Sequence, residues 1–171
     1  MNNKPFSPAI AGLIIAGVAV VFSLLANLLG GANEAGLGIF QYLIIIIMLV
    51  ILVHQFGKKS NYHKTFGELF GYGFKATAIY TLVFICFLVI YLLLNPGIKQ
   101  ELLDAARLEM EKSGNSAADI DKAMAIANNY FYIGVGGSTM FFLVLVGTVG
   151  SLLGATITKK IPYQPVDQLD S

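Results

Sequence analysis

The stretch ATAIYTLVFICFLVIYLLL, residues 76–94, holds nineteen residues and no Asp, Glu, Lys or Arg. An α-helix rises ~1.5 Å per residue, so about 20 such residues cross a hydrocarbon core of ~30 Å. Three more uncharged stretches accompany it, at residues 9–29, 37–53 and 130–158. Lipid offers peptide groups no hydrogen-bonding partner, and a helix, which bonds within itself, meets that condition. The chain therefore reads as all-α: an integral membrane four-helix bundle with spans at about 9–29, 37–53, 74–94 and 130–158.

Composition supports one membrane domain over residues 1–171, with 56% apolar and only 12% charged residues. A soluble domain carries roughly a quarter charged residues. The net charge of +1 gives no reason to expect nucleic acid as a partner. The single cysteine, Cys86, excludes an intramolecular disulfide and reads as a buried, inert thiol in span 3. Lys4 followed by an apolar run resembles a signal peptide, but the run exceeds the ~7–15 residues of a signal core, so a retained span is expected.

The connections differ in chemistry. Gly30, Gly31 and Ala32 begin a short link that makes spans 1 and 2 an antiparallel hairpin. The next loop carries Lys58, Lys59, Lys64 and Lys75 against one acid, Glu68. Within it, Thr65 with Glu68 three residues on fits a capping box, so helix 3 is expected to start near Phe66. Phe66, Phe70, Tyr72 and Phe74 then sit where aromatic side chains anchor a span at the interface.

After span 3, Asn95 and Pro96 read as the N-cap and first residue of a new helix. Ser113, Gly114 and Asn115 supply a stop, and Ser116 with Asp119 a second cap. Residues 96–129 are thus expected to form an extramembrane amphipathic helical hairpin between spans 3 and 4. Leu102, Leu103, Met110, Ile120 and Met124 form its apolar stripe, which suits a protein partner, the bilayer surface or packing on itself.

Positive residues favour the cytoplasmic side. With both termini inside, that side receives seven cations: Lys4, Lys58, Lys59, Lys64, Lys75, Lys159 and Lys160. The other side receives four, Lys99, Arg107, Lys112 and Lys122, among six acids. Cytoplasmic termini and an extracytoplasmic hairpin are expected. Lys58, Lys59, Lys64, Lys75, Lys159 and Lys160 set topology, attract anionic headgroups, or both.

Gly150 and Gly154 form a G-x-x-x-G pattern, with Gly147 on nearly the same face. Small residues four apart let helix backbones approach closely. Span 1 offers a matching stripe of Gly12, Ala16, Ala19 and Ser23, so spans 1 and 4 are expected to meet along these faces; homodimerisation through span 4 is the alternative. Gly67 and Gly71 repeat the spacing at the interface. The polar groups inside spans include Gln41 and a majority of Ser and Thr, which bond to the preceding turn. Tyr80, Phe84 and Phe87 form an aromatic stripe read as packing. His54 and His63 lack the i, i+4 spacing of a helical metal pair. No catalytic set, phosphate loop, metal site or cofactor motif is present, so no enzyme and no cofactor are expected.

The run from Thr65 through Lys75, Asn95–Pro96 before an acidic helix, residues 150–157 and Lys159–Lys160 resemble an uncharacterised family of four-span proteins. That family is catalogued as domain of unknown function 4199 and known mainly from Bacteroidota. The resemblance implies the inner membrane of a Gram-negative bacterium and carries over no activity. The expected role is a scaffold or accessory subunit that meets membrane lipid, a membrane-protein partner or a second copy. The alternative is a small transporter or channel; absent mid-membrane charge counts against it, and a path for a neutral solute lined by hydroxyls survives that objection.

Overall fold

The computed structural model describes residues 5–28 and 35–161. The expected link at Gly30, Gly31 and Ala32, Lys4, and the tail beyond residue 161 lie outside the described residues. Six helices follow one another: α1 (Pro8–Leu28), α2 (Ala35–Lys59), α3 (Phe66–Leu94), α4 (Pro96–Lys112), α5 (Ala117–Asn129) and α6 (Phe131–Ile157). Among the described residues there is no strand. α1, α2, α3 and α6 are long and apolar enough to cross a membrane. α3 has 29 residues, so it extends roughly 43 Å, more than a hydrocarbon core requires. The surplus is its charged, aromatic beginning at Phe66–Lys75, ahead of the uncharged residues 76–94.

Local chemistry sets the helix ends. Ser7 caps α1, its Oγ accepting from the Ile10 N–H at 3.3 Å, with Pro8 at the first helical position. At α3 the capping box closes both ways. Thr65 Oγ1 accepts from the Glu68 N–H at 3.3 Å, and Glu68 accepts from the Thr65 N–H at 2.9 Å. Gly114, at φ +77°, ends α4 in the left-handed conformation, and Ser116 Oγ caps α5 by accepting from the Asp119 N–H. The expectation for Asn95 is corrected. It stands at the N-cap position of α4 but makes no cap bond there; its Nδ2 donates to the Tyr91 carbonyl at 2.8 Å and finishes α3 instead.

Two compact units make up the chain. The first comprises α1, α2, α3 as far as Phe84, and α6 from Leu143. Ile15, Ile45, Leu49, Val53, Tyr80 and Leu143 are almost fully buried in it. Its helices approach closely at small residues, though not in the expected pairing. A Cβ at Gly12 would lie 2.6 Å from the Ala76 carbonyl oxygen, so α1 closes on α3 there. A Cβ at Gly154 would lie 2.8 Å from Val53 Cβ, and one at Gly150 3.0 Å from Leu49, both on α2. Gly147 faces Thr77 of α3. The glycines of the two stripes are therefore turned toward α2 and α3 and not toward each other. Ala11, Ala16 and Ala19 are buried on the same side of α1 as Gly12, while Ser23 accepts from Gln41 Nε2 of α2 at 3.3 Å.

Three buried hydroxyls inside this unit turn back on their own helices. Thr77, Ser151 and Thr158 are buried and donate to the carbonyls of Gly73, Gly147 and Gly154 at 3.0, 2.7 and 2.6 Å. Each thereby satisfies itself four residues back.

The second unit, Ile85–Phe142, contains α4 and α5. Arg107 ties them together, donating to Asp121 at 2.8 Å and to Glu111 at 3.3 Å. Lys99 donates to the Asn128 carbonyl at 3.2 Å and lies 5.5 Å from the Phe131 ring. Cys86 is exposed, which corrects its expected burial: its position on α3 faces away from the packed side.

Overpacking a close helix contact costs about 1–3 kcal/mol. Gly147→Leu and Gly154→Leu should each lower the melting temperature of the detergent-solubilised protein. Gly134→Leu, whose added side chain begins in open space, should leave it unchanged. Differential scanning fluorimetry checks the contrast.

Candidate functional site

All described charged side chains of the first unit gather at one end, where α2 stops and α3 starts: Lys58, Lys59, Lys64, Lys75, Lys159 and Lys160 against Glu68. Charge leaves the spans because an ionised group in hydrocarbon is costly, and long lysine stems carry the ammonium outward. The loop between α2 and α3 turns through Asn61 and Tyr62, both in the left-handed region at φ 51° and 61°. The Tyr62 carbonyl accepts from the Ile161 N–H at 2.8 Å, so the segment after α6 is fastened to this loop. Lys160 donates to the Thr158 carbonyl at 3.0 Å, meeting the negative end of the α6 dipole, and lies 5.8 Å from the Phe66 ring.

The six lysines are not equivalent. Lys64 donates to Glu68 at 2.6 Å. That contact, with the Thr65 N–H beside it, holds the exposed Glu68 carboxyl down at about 2, against 4.5 ordinarily. Lys59 lies 5.1 Å from the Phe6 ring. Lys58, Lys75 and Lys159 have no carboxylate within salt-bridge distance among the described residues.

A cleft of about 280 Å³ opens beside α3 at this end. It is lined by Pro8 of α1, Phe56 of α2, and Gly67, Glu68, Gly71, Tyr72 and Lys75 of α3. The last five share one helical face, because positions 67, 71 and 75 recur every four residues. Phe56 and Tyr72 stack with ring centroids 4.2 Å apart and planes within 8°. A Cβ at Gly67 or Gly71 would meet nothing within 4 Å, so this G-x-x-x-G pattern leaves a hollow where the one on α6 closes a contact. Sequence reasoning noted both glycines and Lys75 separately; the four-residue spacing that joins them was the available signal.

The His54 ring lies 6.3 Å from the Tyr62 ring. Among the described residues there is no group of three or more His, Cys, Asp or Glu arranged to hold a metal. Tyr80 and Phe84 pack at 5.9 Å in the first unit, and the Tyr80 hydroxyl and Thr81 Oγ1 are buried without a hydrogen-bond partner among the described residues.

In the second unit the apolar stripe is divided. Ile120 is 4% exposed and so withdrawn from any partner, and Leu103, Met110 and Met124 are half-buried. Leu102 is exposed, as are Leu108 and Ile126, which the stripe reading omitted.

Residues 11–160 match a family model described as a protein of unknown function (DUF4199). Comparison with curated proteins and with solved structures gives no match.

The Glu68 shift has a definite sign. A carboxylate with a depressed folded pKa contributes stability that is fully present above its unfolded value and disappears as pH falls through its folded value. Thermal stability of the solubilised protein should therefore decline from pH 4.5 toward about 2. Glu68→Gln should flatten that part of the curve; parallel curves would show that Glu68 contributes nothing there.

Proposed function

The chain belongs to the DUF4199 family, and from that premise we propose that it is a multi-pass inner-membrane protein acting through contacts, as a scaffold or accessory subunit and not as an enzyme. In this reading the source is a Gram-negative bacterium and both termini are cytoplasmic, as the distribution of lysines favours. The α4–α5 hairpin then lies outside the cytoplasm and is the part that meets a partner protein.

The observation that carries the proposal is the surface of that hairpin. α4 buries none of its 17 residues, yet it presents Leu102 and Leu108, and α5 presents Ile126 at 61% exposure. The arginine bridge to Asp121 and the burial of Ile120 already hold the two helices together. Exposed apolar side chains beside a satisfied internal contact suit a second surface.

A second reading, a path for a neutral solute, draws on the buried Tyr80 and Thr81 hydroxyls without protein partners. Buried polar groups without a partner are destabilising unless something bonds to them.

Alkaline phosphatase fused after Ser116 should be active and a fluorescent protein fused at the same place dark; the reverse overturns the orientation. A photo-crosslinker at Leu108 or Ile126 in native membranes should recover one discrete protein neighbour, whereas solute flux in reconstituted liposomes with no crosslinked neighbour would favour the solute path.

A further inference from the structure

The cleft beside the first ten residues of α3 has the chemistry of a lipid headgroup site, and we infer that it holds the headgroup of one anionic glycerophospholipid, with the phosphate against the Lys75 ammonium. The inference rests on the reading that this end of the first unit meets the headgroup layer, and it needs no protein partner.

Order along the helix is the first argument. Lys75 immediately precedes the uncharged residues 76–94, and Gly71 and Gly67 lie one and two turns further toward water. Helical side chains lean toward the N-terminus, which here is the aqueous side, so the Lys75 ammonium is carried toward the headgroups. A phospholipid presents the same sequence of chemistry: acyl chains, then phosphate, then the polar headgroup. With the chains beside the uncharged part of α3, the phosphate reaches Lys75 and the headgroup enters the hollow over Gly71 and Gly67.

Shape is the second. The volume, about 280 Å³, falls just below the ~300–1,000 Å³ of ligand pockets. It suits a headgroup and excludes a whole two-chain lipid. The stacked Phe56 and Tyr72 rings give one wall an apolar face for the glycerol carbons.

Charge selects the lipid. Glu68 also lines the cleft, but Lys64 at 2.6 Å already neutralises it. Lys75 is left as the unpaired charge of the cleft, within an end that has six lysines and one glutamate among its described residues. That balance complements a headgroup of net negative charge and gives a zwitterionic one no advantage.

The full-length protein, purified in detergent, is incubated with phosphatidylglycerol or phosphatidylcholine and examined by native mass spectrometry and thermal shift. The wild type should retain phosphatidylglycerol in preference and gain melting temperature from it alone. Lys75→Gln should lower that retention about fivefold, the scale of one lysine near an anionic surface. Gly71→Leu, which fills the hollow without meeting a neighbour within 4 Å of its Cβ, should abolish it at unchanged lipid-free melting temperature. Equal retention of the two lipids by the wild type overturns the inference together with the headgroup reading beneath it. A preference for phosphatidylglycerol that survives in Gly71→Leu overturns the cleft alone and leaves the lysines as a diffuse surface. Should Gly71→Leu lower the lipid-free melting temperature, unchanged retention in the exposed Lys75→Gln variant overturns the proposal by itself.

Discussion

A peptide N–H or C=O without a partner in hydrocarbon costs several kcal/mol, and no water is present to supply one. Every span of this chain must therefore bond within itself, and the four long helices are the consequence. The same constraint reaches the side chains. Thr77, Ser151 and Thr158 are buried and donate to carbonyls four residues back, so their hydroxyls enter the bundle already satisfied. Because those bonds stay within one helix, they add no force between helices. Association rests mainly on close packing, and glycines such as Gly12, Gly147, Gly150 and Gly154 are where it is tightest.

Excluding charge from the spans concentrates it elsewhere, and the concentration is uneven. In the first unit the described charges amount to six lysines and one glutamate at a single end. In the second unit the acids and bases of α4 and α5 are interspersed, and Arg107 is shared between Glu111 and Asp121. The first pattern leaves Lys58, Lys75 and Lys159 without a carboxylate partner among the described residues. The second uses Arg107 and Lys99 in holding two short helices together. One end of the chain thus carries an excess of positive charge, and the hairpin carries mixed charge with Leu102 and Leu108 outward.

Much of this was legible in order along the chain. The capping box at Thr65, the cap at Ser116 and the stop at Gly114 depend on residues within a few positions of one another, and each forms as the spacing indicates. Matters that depend on what stands opposite a residue were less legible. Asn95 has two helix ends within reach, and it bonds back to Tyr91, while Pro96, which has no N–H to satisfy, begins α4. Cys86 lies in an apolar run with no polar neighbour to show which side faces inward, and it is exposed. Gly67–Gly71 and Gly150–Gly154 are the same motif by spacing, yet one bounds a cleft and the other closes on α2.

Period and composition alone determined the number of spans, the class of fold, and the clustering of lysines, because a bilayer judges each segment by its own length and charge. Which helix met which was decided by the tertiary structure. A glycine permits close approach to any neighbour without naming one, so the partner of Gly12 became α3, and those of Gly150 and Gly154 became α2, only when all four helices were packed together. The cleft at Lys75 arose in the same way, where Phe56 from another helix came to stack on Tyr72 and the bare face of α3 was left open.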